Sequence, residues 1–426
     1  MRRSFCLIFA LSLLVLAPSC KKGSGGKTGS VKSEAPPVSV EADAAQQRQA
    51  KAALVKLQRG DFSGALAGAE EVLQKEAANP YALTIRAFIV AKGTIQGMMT
   101  TLVKMLDSGV SARAFQHADM RRVYKNADAM LEKVASDLAM AARSDKVHLE
   151  LCLACWEVDW NNNGRIDRAD RLLFQVEKDA RGQKLPLESP LRKPTYRFDR
   201  GDLYWARAYV MFQRAAINGI LAYDWSAIDT LAQRQREKAI KITLKDPKRM
   251  KLVRALVMQG LELSAKAREA YLAETDDDRE WVPSPRQKSH PMPMAVDARL
   301  YQTWGDILGD LQRLLGGKEG LSAAEITTLF HPKWKTFPGG FIDLGAMFQN
   351  PKDFTLHLPT IMAWLEFRPR HGMGELERLL GAIFGRYYKK TMKPSPLTGR
   401  LKRMKDELSR GEETFEQKLG YLIWIN

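Results

Sequence analysis

The residues best suited to chemistry lie in one short segment in the first half of the chain. Side chains with oxygen ligands recur there at a regular spacing: Asp159, Asn161, Asn163, Asp167 and Asp170. Gly164 permits the left-handed turn that would point these oxygens inward, and the backbone carbonyl of Arg165 adds another ligand. Oxygen donors of this kind suit a hard divalent cation.

Segment 159–170 resembles the calcium loop of an EF-hand, because oxygen ligands occupy positions 1, 3, 5, 9 and 12, with glycine at 6 and isoleucine at 8. The aspartate at position 12 and the two asparagines make it more similar to the loops of dockerins. The resemblance implies a structural calcium ion, bound at about 10⁻⁴ to 10⁻³ M, in an EF-hand-like unit over 144–180. The alternative is a polar turn without an ion.

Two cysteines, Cys152 and Cys155, precede this loop in a stretch, HLELCLACWEV, that we predict to be the entering helix. On a helix, cysteines at this spacing are favoured as two small apolar residues that face the core. A disulfide in an oxidising compartment is the alternative.

The N-terminus has the layout of a secretory signal peptide. Residues 1–20 read MRRSFCLIFALSLLVLAPSC, with a basic start, an apolar stretch and small residues before Cys20. A tether rich in Gly, Ser, Lys and Pro follows. This order resembles bacterial lipoproteins, which implies cleavage before Cys20, acylation of its thiol and, because Lys21 follows, anchoring at the outer membrane. The alternative is cleavage after Ala17 and a soluble periplasmic protein.

From about residue 44 the pattern is helical, which predicts an all-α fold. The block from Gln47 to Leu83 resembles a tetratricopeptide repeat, with small residues at Ala53 and Ala65, a turn at Gly60 and Asp61, and an end at Asn79-Pro80. The resemblance implies stacked helical hairpins with a concave surface for a protein or peptide. A related signature at Gly201, Asp202 and Ala206 either marks a second hairpin or reflects Asp202 as a helix N-cap.

Composition shifts divide the chain into segments. We predict a signal peptide at 1–19, a tether at 20–43, a repeat-like helical domain at 44–180, a second helical domain at 198–330 and a mostly helical C-terminal region at 331–426. The loop at 275–294 is long enough to be functional; it contains Trp281, Glu280 and three aspartates at 276–278. The favoured alternative is a packed crossover between helical domains.

Lysine and arginine exceed aspartate and glutamate by 66 to 49, for a net charge of +17, so an anionic partner is favoured. One basic cluster runs from Arg234 to Arg254. The other supplies the anion-binding candidates Lys389, Lys390, Lys393, Arg400, Lys402 and Arg403. Such clusters bind an anionic envelope surface, or they are solvated helix faces. Nucleic acid is disfavoured as a partner of an exported protein.

No catalytic residue is predicted, because we find no zinc-protease, nucleophile-elbow or phosphate-loop motif. The sequence therefore favours a lipid-anchored scaffold or adaptor of the cell envelope, with a structural calcium site and a protein or peptide partner. The alternative is an envelope enzyme or accessory factor that acts on peptidoglycan or polysaccharide, with its site in the 275–294 loop.

Overall fold

Helices form most of the computed structural model, which confirms the all-α class in its coarse form. The structure describes residues 40–107, 117–145, 147–156, 158–159, 165–166, 175–176, 183–230, 239–275, 279–287, 297–325, 339–357 and 381–408. Within these ranges, none of the helices combines the length and the apolar character needed to cross a membrane.

The first three helices of the described part form two successive hairpins. They are α1 (Val40–Gln58), α2 (Phe62–Lys75) and α3 (Pro80–Asp107). Gly60 makes the first turn at φ +77°, a conformation that favours glycine. Asp61 then caps α2, since its carboxylate accepts a hydrogen bond from the Gly64 amide at 2.9 Å.

Small residues set the distance between α1 and α2, as the sequence predicts. Ala53 and Ala65 are both buried. A Cβ added at Gly68 would lie only 3.1 Å from the Cβ of Ala53, so the two backbones approach closely there. The turn before α3 is held by Asn79, whose side chain accepts from the Ala82 amide at 3.0 Å.

Helix α4 (His117–Ala141) packs on α3, and a short strand pair follows it. The Arg86 guanidinium of α3 donates two hydrogen bonds of 2.8 Å to the Asp137 carboxylate of α4. Strand β1 (Leu149–Leu151) then pairs antiparallel with β2 (Tyr196–Phe198).

The prediction that a helix enters the calcium loop is therefore wrong over the described residues. Its first half is β1, and Leu153–Cys155 is a single 3-10 turn. The reason is visible in the burial of β1, because Leu149 and Leu151 are buried while Glu150 between them is exposed. This alternation, together with pairing to β2, stabilises a strand. Cys152 and Cys155 are joined in a disulfide, so the interpretation as two separate core residues is wrong too.

Two long helices form the centre of the molecule: α5 (Arg200–Leu221) and α6 (Pro247–Ala273). Asp199 and Asp246 cap their N-termini. The helices touch at Gly260, where an added Cβ would lie 2.5 Å from Cε1 of Phe212. Leu256, Gly260 and Leu263 recur at helical spacing, and both leucines are buried.

Helices on both sides cover this central pair. On one side, the buried Arg214 of α5 donates to Asp128 at 2.9 Å and to Glu132 at 3.0 Å, both on α4. On the other side lies α7 (Ala298–Leu315), whose Trp304 indole donates to the Ser264 hydroxyl of α6 at 3.2 Å. Polar contacts thus supplement the apolar packing on each flank.

Short antiparallel strands and two further helices complete the described part. One sheet has the order β3 (Tyr223–Asp224), β4 (Ala239–Leu244) and β7 (Phe354–His357); the other has β5 (Leu321–Ser322), β6 (Phe341–Ile342) and β8 (Tyr388–Lys389). The helices are α8 (Leu344–Gln349) and α9 (Leu397–Leu408). One continuous hydrophobic core extends from Ala50 in α1 to Leu397 in α9.

Replacing Gly260 tests the central contact. Gly260→Ala should lower the free energy of unfolding by about 1–3 kcal/mol, since the new methyl group must displace the Phe212 ring. Gly219→Ala in α5 is the matched control: nothing lies within 4 Å of its added Cβ, so it should raise stability by about 0.5–1 kcal/mol through helix propensity alone. Urea unfolding measures both. An equal rise in the free energy of unfolding of both variants would contradict the close contact between Gly260 and Phe212.

Candidate functional site

Three carboxylates converge where the central helices meet at one end. One carboxylate oxygen from each of Asp199, Glu274 and Glu280 lies within 4.8 Å of the other two. We call these three residues the carboxylate cluster. Asp199 is the N-cap of α5, and Glu274 directly follows the last residue of α6. Because α5 and α6 are antiparallel, the start of one helix lies beside the end of the other.

Glu280 reaches the cluster from the loop that follows α6. The loop is held against β2, since the Arg197 amide donates to the Arg279 carbonyl at 2.8 Å. Glu280 is only 2% exposed, and its Oε1 lies 4.0 Å from Nε of Arg197. One guanidinium thus lies beside the carboxylates.

The rest of the described loop, 279–287, is packed. The Trp281 ring stacks on Phe198 at a centroid distance of 5.3 Å and forms a T-shaped pair with Tyr196 at 4.8 Å. The Tyr301 hydroxyl of α7 donates to the Pro283 carbonyl at 3.0 Å. These contacts fix the backbone that holds Glu280.

A fourth carboxyl group, Asp202, lies beneath the cluster. Asp199 and Asp202 form a reciprocal capping box, in which each side chain accepts from the backbone amide of the other. The Tyr271 hydroxyl donates to Oδ1 of Asp202 at 2.9 Å. Both Asp202 and Tyr271 are buried. The Asp202 side chain is therefore fully engaged within the protein.

Burial raises the pKa of Asp202 well above its ordinary value, and the nearby charge of Asp199 raises it further. The bonds from the Asp199 amide and from Tyr271 lower the pKa, but they do not outweigh burial. Burial likewise raises the pKa of Tyr271, with the charge of Asp202 as the second cause. Asp202 thus holds a proton under conditions in which an exposed aspartate would be ionised.

The arrangement suits a divalent cation. Carboxylate oxygens are preferred ligands of Ca²⁺ and Mg²⁺, and Asp199 and Glu274 are only half-buried. A bound cation would also offset the repulsion among the three carboxylates of the cluster. The sequence did not single out Asp199 or Glu274, because they are 75 residues apart in the chain and only the antiparallel helix pair brings them together.

The predicted calcium loop lies mostly outside the described residues. Asn161, Asn163, Asp167 and Asp170 belong to that part, whereas Asp159 and Arg165 are described. The Asp159 carbonyl accepts a hydrogen bond from the Gln96 side chain of α3 at 2.9 Å, which ties the start of the loop to the helical hairpins. The calcium site at 159–170 stays a prediction. Cys20 also lies outside the described residues.

The candidates for anion binding divide into two groups. Lys389 pairs with Asp343 at 2.6 Å and Lys393 with Glu319 at 3.0 Å. Arg400 pairs with Asp310 at 2.8 Å and also with Asp306. Exposed side chains without these ion pairs are Lys390, Lys402 and Arg403.

An open cavity of about 350 Å³ lies between α4, α5 and the start of α6. Its lining residues are mostly charged: Asp128, Glu132, Arg214, Asp246, Lys248, Arg249 and Leu252. Leu252, one turn before the buried Leu256, is 39% exposed. The cavity thus combines paired charges with one accessible apolar side chain.

Comparisons with known proteins give no assignment. No protein-family model, no curated protein and no solved structure matches the chain. What the protein does is therefore inferred from its own residues and contacts.

The raised pKa of Asp202 predicts a pH-dependent stability. Above the ordinary value of 3.8, the unfolded chain releases a proton that the folded protein retains. The contribution of Asp202 to the free energy of unfolding therefore falls as pH rises from about 4 toward the pKa of its folded state, by at most about 1.4 kcal/mol per pH unit. Asp202→Asn should lack this slope. Urea unfolding at a series of pH values measures both profiles.

Asp297→Asn, at the N-cap of α7, is the control that removes a carboxylate elsewhere. It should retain the wild-type slope. The account is contradicted if the Asp202→Asn and wild-type profiles run parallel, whatever their offset.

Calcium binding can be assigned to one of the two acidic sites by paired variants. At 5 mM Ca²⁺, a site with a dissociation constant of about 10⁻⁴ to 10⁻³ M should stabilise the protein by about 1–2 kcal/mol. Asp167→Asn with Asp170→Asn should abolish this gain, because both carboxylates belong to the predicted loop. Glu274→Gln with Glu280→Gln should preserve it. Calorimetry measures calcium binding, and thermal melting measures the stabilisation. If calcium has no effect on the wild type, the calcium site at 159–170 is excluded.

Proposed function

We propose that this chain is a lipid-anchored scaffold or adaptor of the bacterial cell envelope that binds another protein. The observation that carries the proposal is the open cavity between α4, α5 and α6. Three separate helices build it, and paired charges surround the exposed Leu252. A protein interface has an apolar centre and a polar rim, and we expect a partner to cover Leu252 together with its charged neighbours.

The helical hairpins support the same proposal. α1, α2 and α3 pack in sequence through small residues such as Ala53 and Ala65. Arrays of this type offer extended surfaces to peptides and proteins. Tetratricopeptide-like stacking of these hairpins is therefore part of the proposal.

The proposed anchor comes from the N-terminal sequence. A signal peptide followed by Cys20 and a flexible tether would place the helical body close to the outer membrane. The excess of positive charge favours contact with an anionic envelope surface, for which Lys390, Lys402 and Arg403 are the exposed candidates. A calcium ion at 159–170 would serve a structural role.

A second candidate function is an envelope enzyme or accessory factor that acts on peptidoglycan or polysaccharide. The carboxylate cluster favours it, since pairs of acidic side chains carry out glycoside hydrolysis. Glu280 belongs to the loop in which the sequence places such a site. The buried position of Glu280 is better suited to holding a cation or the loop than to direct contact with a polymer.

Acylation is tested by metabolic labelling with palmitate. Cys20→Ser should lose the label, because the acylated thiol is absent. Cys155→Ser is the matched control and should keep the label, since Cys155 lies in the folded body. Persistent labelling of Cys20→Ser would refute the lipid anchor.

The binding function is tested by photocrosslinking in intact cells. A photoreactive residue at position 252 should form a discrete crosslinked product with one protein, because Leu252 borders the cavity. The same residue at position 75, at the exposed end of α2, should not form that product. Crosslinks from position 252 to glycan strands alone would contradict the scaffold and favour the second candidate.

A further inference from the structure

The Cys152–Cys155 disulfide closes a short turn directly after strand β1. The two cysteines are three residues apart, and the 3-10 turn Leu153–Cys155 lies between strand β1 and Trp156. A disulfide that closes so short a loop removes less entropy from the unfolded chain than one joining distant segments. This disulfide therefore contributes little to the stability of the fold as a whole.

The two sulfur atoms differ in their surroundings. Cys155 is exposed, whereas Cys152 is half-buried. Sγ of Cys152 also lies 3.5 Å from the Lys193 carbonyl oxygen. In the disulfide this sulfur has no proton to donate, but the reduced thiol of Cys152 could donate an S–H hydrogen bond to that carbonyl. Cys155 is thus the more exposed residue of the pair, and Cys152 has a hydrogen-bond acceptor for the sulfur that leaves.

The residue after Cys155 connects this turn to the helical hairpins. The Trp156 side chain is buried and packs against Phe62 at a centroid distance of 5.3 Å and Phe88 at 5.5 Å. Its indole N–H donates to the Gln58 carbonyl at 3.2 Å, beside the turn at Gly60. A change in the backbone between Cys152 and Cys155 would therefore be transmitted to the joint between α1 and α2.

We propose that Cys152–Cys155 is a reversible thiol–disulfide exchange site whose substrate is an external dithiol, and that its oxidised form holds Trp156 against the hairpins. A thiolate of the dithiol attacks Sγ of Cys155; the bond between the two cysteines breaks, and its electron pair passes to Sγ of Cys152, which takes up a proton. The second thiolate then attacks the dithiol's own sulfur in the mixed disulfide. Cys155 is released as a thiol, and the dithiol leaves as a disulfide.

Native-state reduction of the full chain tests the site directly. In millimolar dithiothreitol without denaturant, the Cys152–Cys155 peptide should be alkylated at both thiols, as read by mass spectrometry of that peptide. Tryptophan fluorescence should change in the same time course, and Trp156→Phe should lack the change. A disulfide that resists reduction until denaturant is added would overturn the proposal.

Variants that keep only one cysteine of this pair test the direction of attack, with the mixed disulfide read by mass spectrometry on the peptide that contains the remaining cysteine. With glutathione disulfide, Cys152→Ser, which retains the exposed Cys155, should form a mixed disulfide at least tenfold faster than Cys155→Ser. Both variants lose the Cys152–Cys155 disulfide, so the loss of stability from the missing bond is the same in each. Circular dichroism checks that both variants fold. Equal rates in folded variants would overturn the assignment of Cys155 as the attacked sulfur. If either variant fails to fold, reduction of the wild type decides the proposal.

Discussion

The close approach of α5 and α6 at Gly260 determines much of the described structure. Because glycine has no side chain, the Phe212 ring lies directly on the α6 backbone, and the two helices can run side by side over most of their length. Their antiparallel direction places the N-terminus of α5 next to the C-terminus of α6. The carboxylate cluster follows from that geometry, and α4 and α7 pack on the two free flanks of the pair.

Negative charge is in excess at the end of the α5–α6 pair that carries the carboxylate cluster. Asp199 is favourably placed, since a carboxylate at a helix N-terminus interacts well with the helix dipole. Glu274 lies at a C-terminus, where the same dipole is unfavourable. Asp202 avoids part of the repulsion by retaining its proton, and Arg197 lies beside Glu280. A bound cation would offset the remaining repulsion, which gives the cluster a physical reason to attract one.

Local features of the fold could be predicted from the sequence, whereas long-range pairings could not. The turn at Gly60, the cap at Asp61 and the buried Ala53 and Ala65 follow from short patterns. Asp202 is part of the first turn of α5 rather than its cap, because Asp199 caps the helix instead.

Strand β1 was missed because its partner, β2, lies more than forty residues away in a segment rich in proline and charge. Strand β4 was missed although Ile240 and Ile242 alternate with exposed residues, because six residues are a weak signal. For the candidate site, the sequence drew attention to Glu280 through its acidic neighbours. Asp199 and Glu274 could not be joined to it without the orientation of the two helices.

The claim that α5 and α6 form the central frame is tested most directly by native-state hydrogen exchange. If the frame supports the other elements, amides around Phe212 and Gly260 should exchange only by global unfolding and should be the slowest in the protein. The helices α1 to α3 should exchange faster or at the same rate. Exchange in α5 and α6 that is faster than in α1 to α3 would contradict the account.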